Sequence, residues 1–389
     1  MRLGVNYVPR GSWFYGWTRL DRAAIRDDLA AIAEIGADHV RIFPLWALLQ
    51  PNRSFIDPAA IDDVLAVVDE AGRAGLTVTV DALQGHLSSY DFLPSWVLSW
   101  HRRNIFTDPD VVAAEEELIR TLGRALDGHE AAEGISVGNE IIQFAAPRHP
   151  HPCTLTSEQA REWGERMIAA AKETFPQGRH TVSFDDDLLF DPDHPFTPDV
   201  GIHCGDLITV HSWIFGRLGP ALGVDHPRLA LLARYLLELQ AAWASAEGVS
   251  KPLWLQEVGA PLTYLSAEAA PEFLTHTLEA ARAVDGLEAV TWWCSHDVSR
   301  TLADFPVVEY DLGLFDADGN LKPIGRAFSE AAARKDEATP PPPNDTIAIP
   351  GLRQDGARES VRPDGPIFDA WASAIEAGQP RRLAVKEDA

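Results

Sequence analysis

Short apolar, β-branched runs alternate with amphipathic stretches along most of this chain, and that alternation limits its fold more than any other feature. The runs are RLGVNYV (2–8), HVRIFPL (39–45), LTVTVDAL (76–83), GISVGNE (134–140), HTVSFDD (180–186), LITVHSW (207–213), PLWLQEVG (252–259) and EAVTWWCS (288–295). They are close to continuously apolar, as strands are when both faces of a parallel sheet are covered. Between them, DRAAIRDDLAAIAEIGA (21–37) sets Ile25, Leu29, Ile32 and Ala33 on one helical face. IDDVLAVVDEAGRAG (61–75) ends on Gly75, suited to the left-handed turn that follows a helix. TSEQAREWGERMIAAAKETF (156–175) opens with Thr156 and Gln159 in a capping-box pattern. Eight strand–helix units predict an α/β chain folded as a (β/α)8 TIM barrel over residues 1–334. A doubly wound open sheet is the alternative, but it usually carries a glycine-rich phosphate turn after its first strand. Here that strand runs into YVPRGSWFYGW.

After residue 334 the pattern stops. KDEATPPPPNDT (335–346) reads as a semi-rigid Pro-rich linker, and the following stretch has no periodicity. GPIFDAWASAIEAG (365–378) predicts one short amphipathic helix. The extension 335–389 is too short for a domain; it is expected to dock on the barrel or on a neighbouring subunit of a homo-oligomer, or to stay partly disordered.

Charge and cysteine usage exclude several function classes. The formal net charge of −25 would repel a phosphate backbone or an anionic membrane, so neither nucleic acid nor a membrane is an expected partner. The three cysteines (Cys153, Cys204, Cys294) are widely spaced, without a CxxC, which argues against a disulfide framework or a zinc site. HPHPC (149–153) is read as a rigid proline-broken loop. No metal or organic cofactor is expected. The twelve tryptophans read first as core filler. MRLGVNYVPR has no long apolar stretch, so neither a signal peptide nor a membrane span is expected, and the protein is expected to be cytoplasmic.

In a barrel the chemistry sits at the C-terminal ends of the strands. Run 2 carries Arg41, run 3 leads to Gln84 and His86, and run 4 ends on Asn139 and Glu140. Run 6 carries His211 and Trp213, run 7 Gln256 and Glu257, and run 8 Trp292 and Trp293. In a closed ring of eight, runs 4 and 7 face each other across the mouth. Two glutamates over a pocket with Trp, His and Arg fit glycoside hydrolysis, in which one carboxyl delivers a proton and the other attacks or activates water. A like charge nearby raises one pKa and separates the two roles. The DDD at 185–187 reads as a solvated turn in preference to a sugar-binding element.

The chain resembles clan A glycoside hydrolases, family 5 in particular, through Arg41 in HVRIF, His86 in LQGHLSSYDF, Asn139-Glu140 in SVGNE, His211 in VHSW, Glu257 in WLQEVGAP, Trp293 in TWWCSHD, and DLGLFDADGNLKP (311–323). The resemblance implies a retaining mechanism, with Glu140 as acid/base and Glu257 as nucleophile. It also implies that Asn139 binds the sugar 2-OH and that Arg41 sits under Glu257. His86 and His211 would contact sugar hydroxyls or orient the glutamates, and Trp293 would be the sugar platform. Family 5 members often place a tyrosine two residues after the histidine of strand 6. This chain has Trp213 there, whose indole N–H can donate but cannot titrate.

LLQPNRSFI, LQGHLSSYDFLPSW and TWWCSHD are most similar to a bacterial β-mannosidase group of family 5. That likeness, with the expected location, implies an exo-acting β-mannosidase for small β-mannosides such as Manβ1-4GlcNAc. An oligosaccharide substrate is therefore the expected partner. An endo-β-mannanase, a β-glucosidase or a β-galactosidase of the same clan are the alternatives. From a different class, a catalytically silent sugar-binding barrel remains, although such a protein typically lacks one of the two glutamates.

Overall fold

The computed structural model describes residues 1–100, 102–337 and 341–386. Seven of the eight expected strands form one parallel sheet: β1 (Arg2–Asn6), β2 (His39–Ile42), β3 (Thr77–Asp81), β4 (Ala132–Ser136), β5 (Ile208–Ser212), β6 (Leu253–Val258) and β7 (Leu287–Trp292). Their order across the sheet is β4-β3-β2-β1-β7-β6-β5, so the first strand pairs with the last and the sheet curls with β4 and β5 as its edges. The strands are buried on both faces, as their uninterrupted apolar pattern requires.

The expected fifth strand is not a regular one. Segment 180–183 lies against both edges, yet Thr181 makes a single bridge, to Ser136. On the β4 side the backbone bonds are of ladder type: Thr181 N–H donates to Ile135 O (3.1 Å) and Val137 N–H to Thr181 O (2.8 Å). Gly134 permits that approach, since a β-carbon there would overlap the Arg179 carbonyl. On the β5 side side chains take over part of the pairing. The Asp206 carboxylate accepts from His180 N–H (2.9 Å), and the Thr209 hydroxyl donates to Val182 O (2.7 Å). Side-chain substitution for ladder bonds is the reason the segment is irregular.

The helices fall where the capping chemistry predicts. α1 (Arg22–Glu34) starts under Asp21, whose carboxylate accepts from Ala23 and Ala24 N–H. α2 (Pro58–Arg73) begins slightly earlier than its apolar pattern, at a proline after the capping Asp57, and Gly75 follows at φ +82°. α3 is Pro109–Leu126, and α4 (Ser157–Thr174) carries the full Thr156/Gln159 capping box. α5 (Leu232–Ala246), α6 (Ala270–Arg282) and α7 (Pro323–Ala333) complete the outer layer. No helix among the described residues is long and apolar enough to cross a membrane.

Part of the expected linker, residues 338–340, lies outside the described residues. The remaining tail docks on its own chain. β8 (Thr346–Ile349) pairs in parallel with β9 (Arg382–Val385), and α8 (Pro366–Glu376) occupies the place of the expected short helix. Phe368 and Trp371 of α8 are fully buried against Tyr235 of α5, and the Trp371 indole donates to Glu238 (3.0 Å). Tryptophan serves both as filler and as lining. Trp46, Trp163 and Trp243 are fully buried in the core.

Candidate active site

Arg41 anchors the site from below. It projects from β2 and is wholly buried, so each N–H needs an acceptor inside the protein. Nε and Nη2 donate to Asp81 (2.5 and 3.3 Å), Nη1 to Glu257 (2.7 Å) and Asn6 (3.3 Å), and Nη2 to Asn139 (2.6 Å) and Ser183 (3.0 Å). One guanidinium thus ties together β1, β2, β3, β6, the residues after β4 and the irregular segment at 183. Asp81, which sequence reasoning did not select, carries the same signal as Glu140: an apolar run ending on a carboxylate.

Glu257 lies near the end of β6 and is buried. Besides Arg41 it accepts from the Trp213 indole N–H (3.3 Å), and His211 Nδ1 is 3.4 Å away. Glu140 follows β4 and opens a short 3-10 turn (Ile141–Ala145) from the left-handed region at φ +42°. A residue with a β-carbon held there costs on the order of 1–3 kcal/mol, the kind of strain that accumulates at working sites. The Glu140 carboxylate lies 2.8 Å from His211 Nδ1. One carboxylate oxygen of each glutamate and a ring nitrogen of His211 lie within 4.8 Å of one another. These three side chains are also the only donor group of this kind in the cleft among the described residues.

The electrostatics follow from that triangle. Burial pushes Glu257 up; His211 and Arg41 oppose this, the negative charge of Glu140 adds to it, and the net shift is upward. Burial also acts upward on Glu140, but the hydrogen bond and charge of His211 outweigh it and hold the carboxyl below its ordinary value. His211, disfavoured by burial, is raised by both glutamates. Its Nε2 lies 3.1 Å from Gln256 Oε1, which holds the ring in place from the other side. Nδ1 faces Glu140 across their hydrogen bond, a route along which a proton can pass between the two.

The other expected residues lie around these. Asn139 is buried, with its amide oxygen on Arg41 and its N–H on the His86 carbonyl (3.3 Å). His86 lines the cleft, with Nδ1 3.1 Å from Asp91. Of the two tryptophans on run 8, Trp292 belongs to the core and Trp293 lines the cleft, meeting Trp213 edge-on at 6.3 Å. All eight expected site residues thus fall in or directly beneath one cleft of about 600 Å3. A wider groove of about 820 Å3 runs between α5 and the tail, but it is lined mainly by alanines, prolines and aliphatic residues and gathers none of these groups.

The structure corrects the reading of DDD at 185–187. These residues are not a solvated turn: Asp185 and Asp187 are buried, and all three line the cleft. Arg217 donates to Asp186 (3.1 Å) and Asp187 (2.9 Å), Arg148 pairs with Asp187 (2.6 Å), and Gln143 donates to Asp185. Burial lifts Asp186 to about 6 despite Arg217. A third cleft glutamate was also missed. Glu309 accepts from the Ser88 hydroxyl (3.0 Å), and burial pushes it to about 7. It ends a short 3-10 turn (Val307–Glu309) in the loop after β7, where neither strand ends nor periodicity mark it.

Behind the Trp293 side of the cleft lies an aromatic wall. The loops after β1, β3 and β7 join through a cluster of rings: Trp13 to Trp293 (6.0 Å) and Phe305 (5.4 Å), Phe14 to Tyr90 (5.8 Å), and Tyr90 to Phe305 (5.1 Å). The Ser88–Glu309 hydrogen bond bridges two of these loops at the cleft. The lining contributed by 143–150, 185–187 and 213–217 comes from the loops after β4, segment 180–183 and β5.

Neither a protein-family model nor a curated protein sequence matches the chain. Solved structures do. GH5_18 from Streptomyces cattleya, in a variant complexed with Manβ1-4GlcNAc, is 45% identical, over 99% of this chain and 94% of that one, with a TM-score of 0.94. GH5_18 from Bifidobacterium longum subsp. longum, also complexed with Manβ1-4GlcNAc, is 40% identical over 100% and 91%, with a TM-score of 0.94. An exo-β-1,4-mannosidase from an Opitutaceae bacterium shares the fold at 23% identity, over 99% and 69%, with a TM-score of 0.81.

Proposed function

The chain belongs to the GH5_18 glycoside hydrolases, and on that premise we propose that it is a retaining exo-β-mannosidase for small β-mannosides of the Manβ1-4GlcNAc type. One observation carries the reading: Glu140 and Glu257 present carboxylate oxygens within 4.8 Å of each other over the buried Arg41. Retaining glycosidases hold their carboxyls at about 5–5.5 Å, whereas inverting ones need about 6.5–9.5 Å to admit water.

Glu257 is the nucleophile. Arg41 fixes one oxygen at 2.7 Å and Trp213 donates to the other, leaving the carboxylate oriented for attack on the anomeric carbon. Glu140 is the acid/base. The proton that Glu140 delivers to the leaving oxygen comes across its 2.8 Å hydrogen bond with His211, and protonating Glu140 removes the negative charge that helps to raise Glu257. Once Glu257 is esterified its negative charge is gone, and Glu140 then accepts a proton from the attacking water. Asn139, tied to Arg41 and to the His86 carbonyl, keeps its amide fixed beside the sugar 2-OH. Trp293 is the platform under the ring, and His86 contacts a hydroxyl at the same sugar.

Exo action is supported by the aromatic wall. The acid/base stands after β4, so the leaving group extends over the loops after β4, segment 180–183 and β5. The glycone then points towards Trp293, Ser88 and Glu309, with the ring cluster packed behind them, an arrangement that favours a short glycone side over a long chain. Action on imported small β-mannosides in the cytoplasm belongs to the same proposal. So does the division into a closed (β/α)8 barrel at 1–334, with segment 180–183 as its eighth stave, and a Pro-rich linker with a tail at 335–389. Initial rates on aryl β-mannoside, β-glucoside and β-galactoside, for wild type and Glu257→Ala, test the reading. Dominant β-mannoside turnover lost in the variant is the expected result; preference for another glycoside would discard the sugar and keep the two-glutamate mechanism.

A further inference from the structure

The tail reaches the same cleft. Arg362, C-terminal to the helical turn Ala357–Ser360, lines this cleft, as do Asp186 and Arg217. Its Nε and Nη2 pair with Asp364 (3.1 and 3.3 Å), which leaves Nη1 free to donate elsewhere, and its side chain stays 42% exposed. Four residues earlier, Arg358 is buried and inserts into the loop that carries the acidic triplet. Nη2 donates to the Asp187 (3.2 Å) and Phe196 (3.3 Å) carbonyls, and Nη1 to the His194 carbonyl (3.3 Å) and, at 3.5 Å, that of Pro192. Carbonyls that converge on one guanidinium cannot be satisfied by water once buried, so this loop depends on the tail for its shape. The Tyr235 hydroxyl donates to Val361 O (2.8 Å), fixing the backbone between the two arginines to α5.

We propose that the C-terminal extension completes the leaving-group side of the active site, Arg358 as a positioning residue for the Asp185–Asp187 loop and Arg362 as a donor to an N-acetylated leaving sugar. The proposal rests on the function argued above. Its chemistry is that of an amide: the acetamido carbonyl requires a donor such as Arg362, and the acetamido N–H requires an acceptor, which the aspartates of the loop supply. A simple aryl leaving group offers neither.

The test uses the full-length protein and the variants Arg362→Ala, Arg358→Met and Arg358→Lys. The readout is the ratio of kcat/KM for Manβ1-4GlcNAc to kcat/KM for an aryl β-mannoside. Loss of a charge-assisted hydrogen bond predicts that Arg362→Ala lowers this ratio about tenfold, chiefly through KM for the disaccharide. Arg358→Met should act in the same direction, with partial recovery in Arg358→Lys. A ratio within about twofold of wild type in Arg362→Ala overturns the proposal, and this exposed position carries the test if Arg358→Met does not fold. If the wild type turns over neither β-mannoside, the functional reading is what has failed. The tail is then judged by calorimetric titration of GlcNAc: weaker binding to Arg362→Ala supports it, and equal binding or none to wild type refutes it.

Discussion

Replacing Arg41 with methionine separates an account in which this guanidinium holds the site together from one in which it merely fills space. Methionine fills much of the same volume but strands two buried carboxylates, Asp81 and Glu257, which Arg41 now contacts at 2.5 and 2.7 Å. Breaking a buried ion pair from one side costs about 3–5 kcal/mol, because the remaining charge has no water to turn to. Unfolding entropy is about 2.1 cal/mol/K per residue, so over a chain of this length that loss lowers Tm by about 4–6 °C. The deficit must also depend on pH. Without Arg41 the folded-state pKa values of Asp81 and Glu257, already raised by burial, rise further above their unfolded values. A raised carboxyl destabilises the fold increasingly as pH climbs from the unfolded pKa towards the folded one. The Tm gap between wild type and Arg41→Met should therefore narrow towards pH 5 and widen towards pH 8. Activity should fall by about 100-fold or more at pH 7, since a protonated or misaligned Glu257 cannot attack. Differential scanning calorimetry across pH, with rates on an aryl β-mannoside, measures all three. A Tm within about 1 °C of wild type at pH 8, or activity within about tenfold, would refute this reasoning.

Three further outcomes follow from the same geometry. Trp213→Phe keeps the ring and removes the N–H that Glu257 accepts at 3.3 Å, so kcat should fall about 3–10-fold with Tm unchanged; an unaffected kcat would show that this bond does not hold the nucleophile. Trp371→Ala should destabilise the protein by about 3–5 kcal/mol in chemical denaturation, because its side chain is fully buried between α8 and α5 and its indole holds Glu238. Glu309→Gln should gain Tm relative to wild type as pH rises from about 4.5 to 7 and stay level above that, because the wild-type carboxyl, lifted to about 7 in the fold, ionises more readily when unfolded.

What could be read from the residues follows a physical division. Strands buried on both faces and helices with side-chain caps are local patterns, so seven strands and helices such as that at Thr156 stood where composition and capping chemistry put them. The segment at 180–183 did not form a regular strand, because its pairing partners are side chains 26–27 residues away, Asp206 and Thr209, which no local period reveals. Glu140 and Glu257 were legible because each ends an apolar run, and the same signal was available at Asp81. The triplet at 185–187 was misread because an acidic cluster looks solvated until its cations are known. Those cations, Arg148 and Arg217, come from loops that sequence reasoning could not bring together. Glu309 and the docking of the tail were likewise hidden in long-range contacts.

The measurement that bears most directly on the central claim is the time course of Manβ1-4GlcNAc hydrolysis followed by proton NMR, for wild type and Glu257→Ala. The two-glutamate account predicts that wild type first releases β-mannose, which then mutarotates, and that Glu257→Ala releases none above background. First release of α-mannose, or a Glu257→Ala variant that hydrolyses the disaccharide at the wild-type rate, would contradict it.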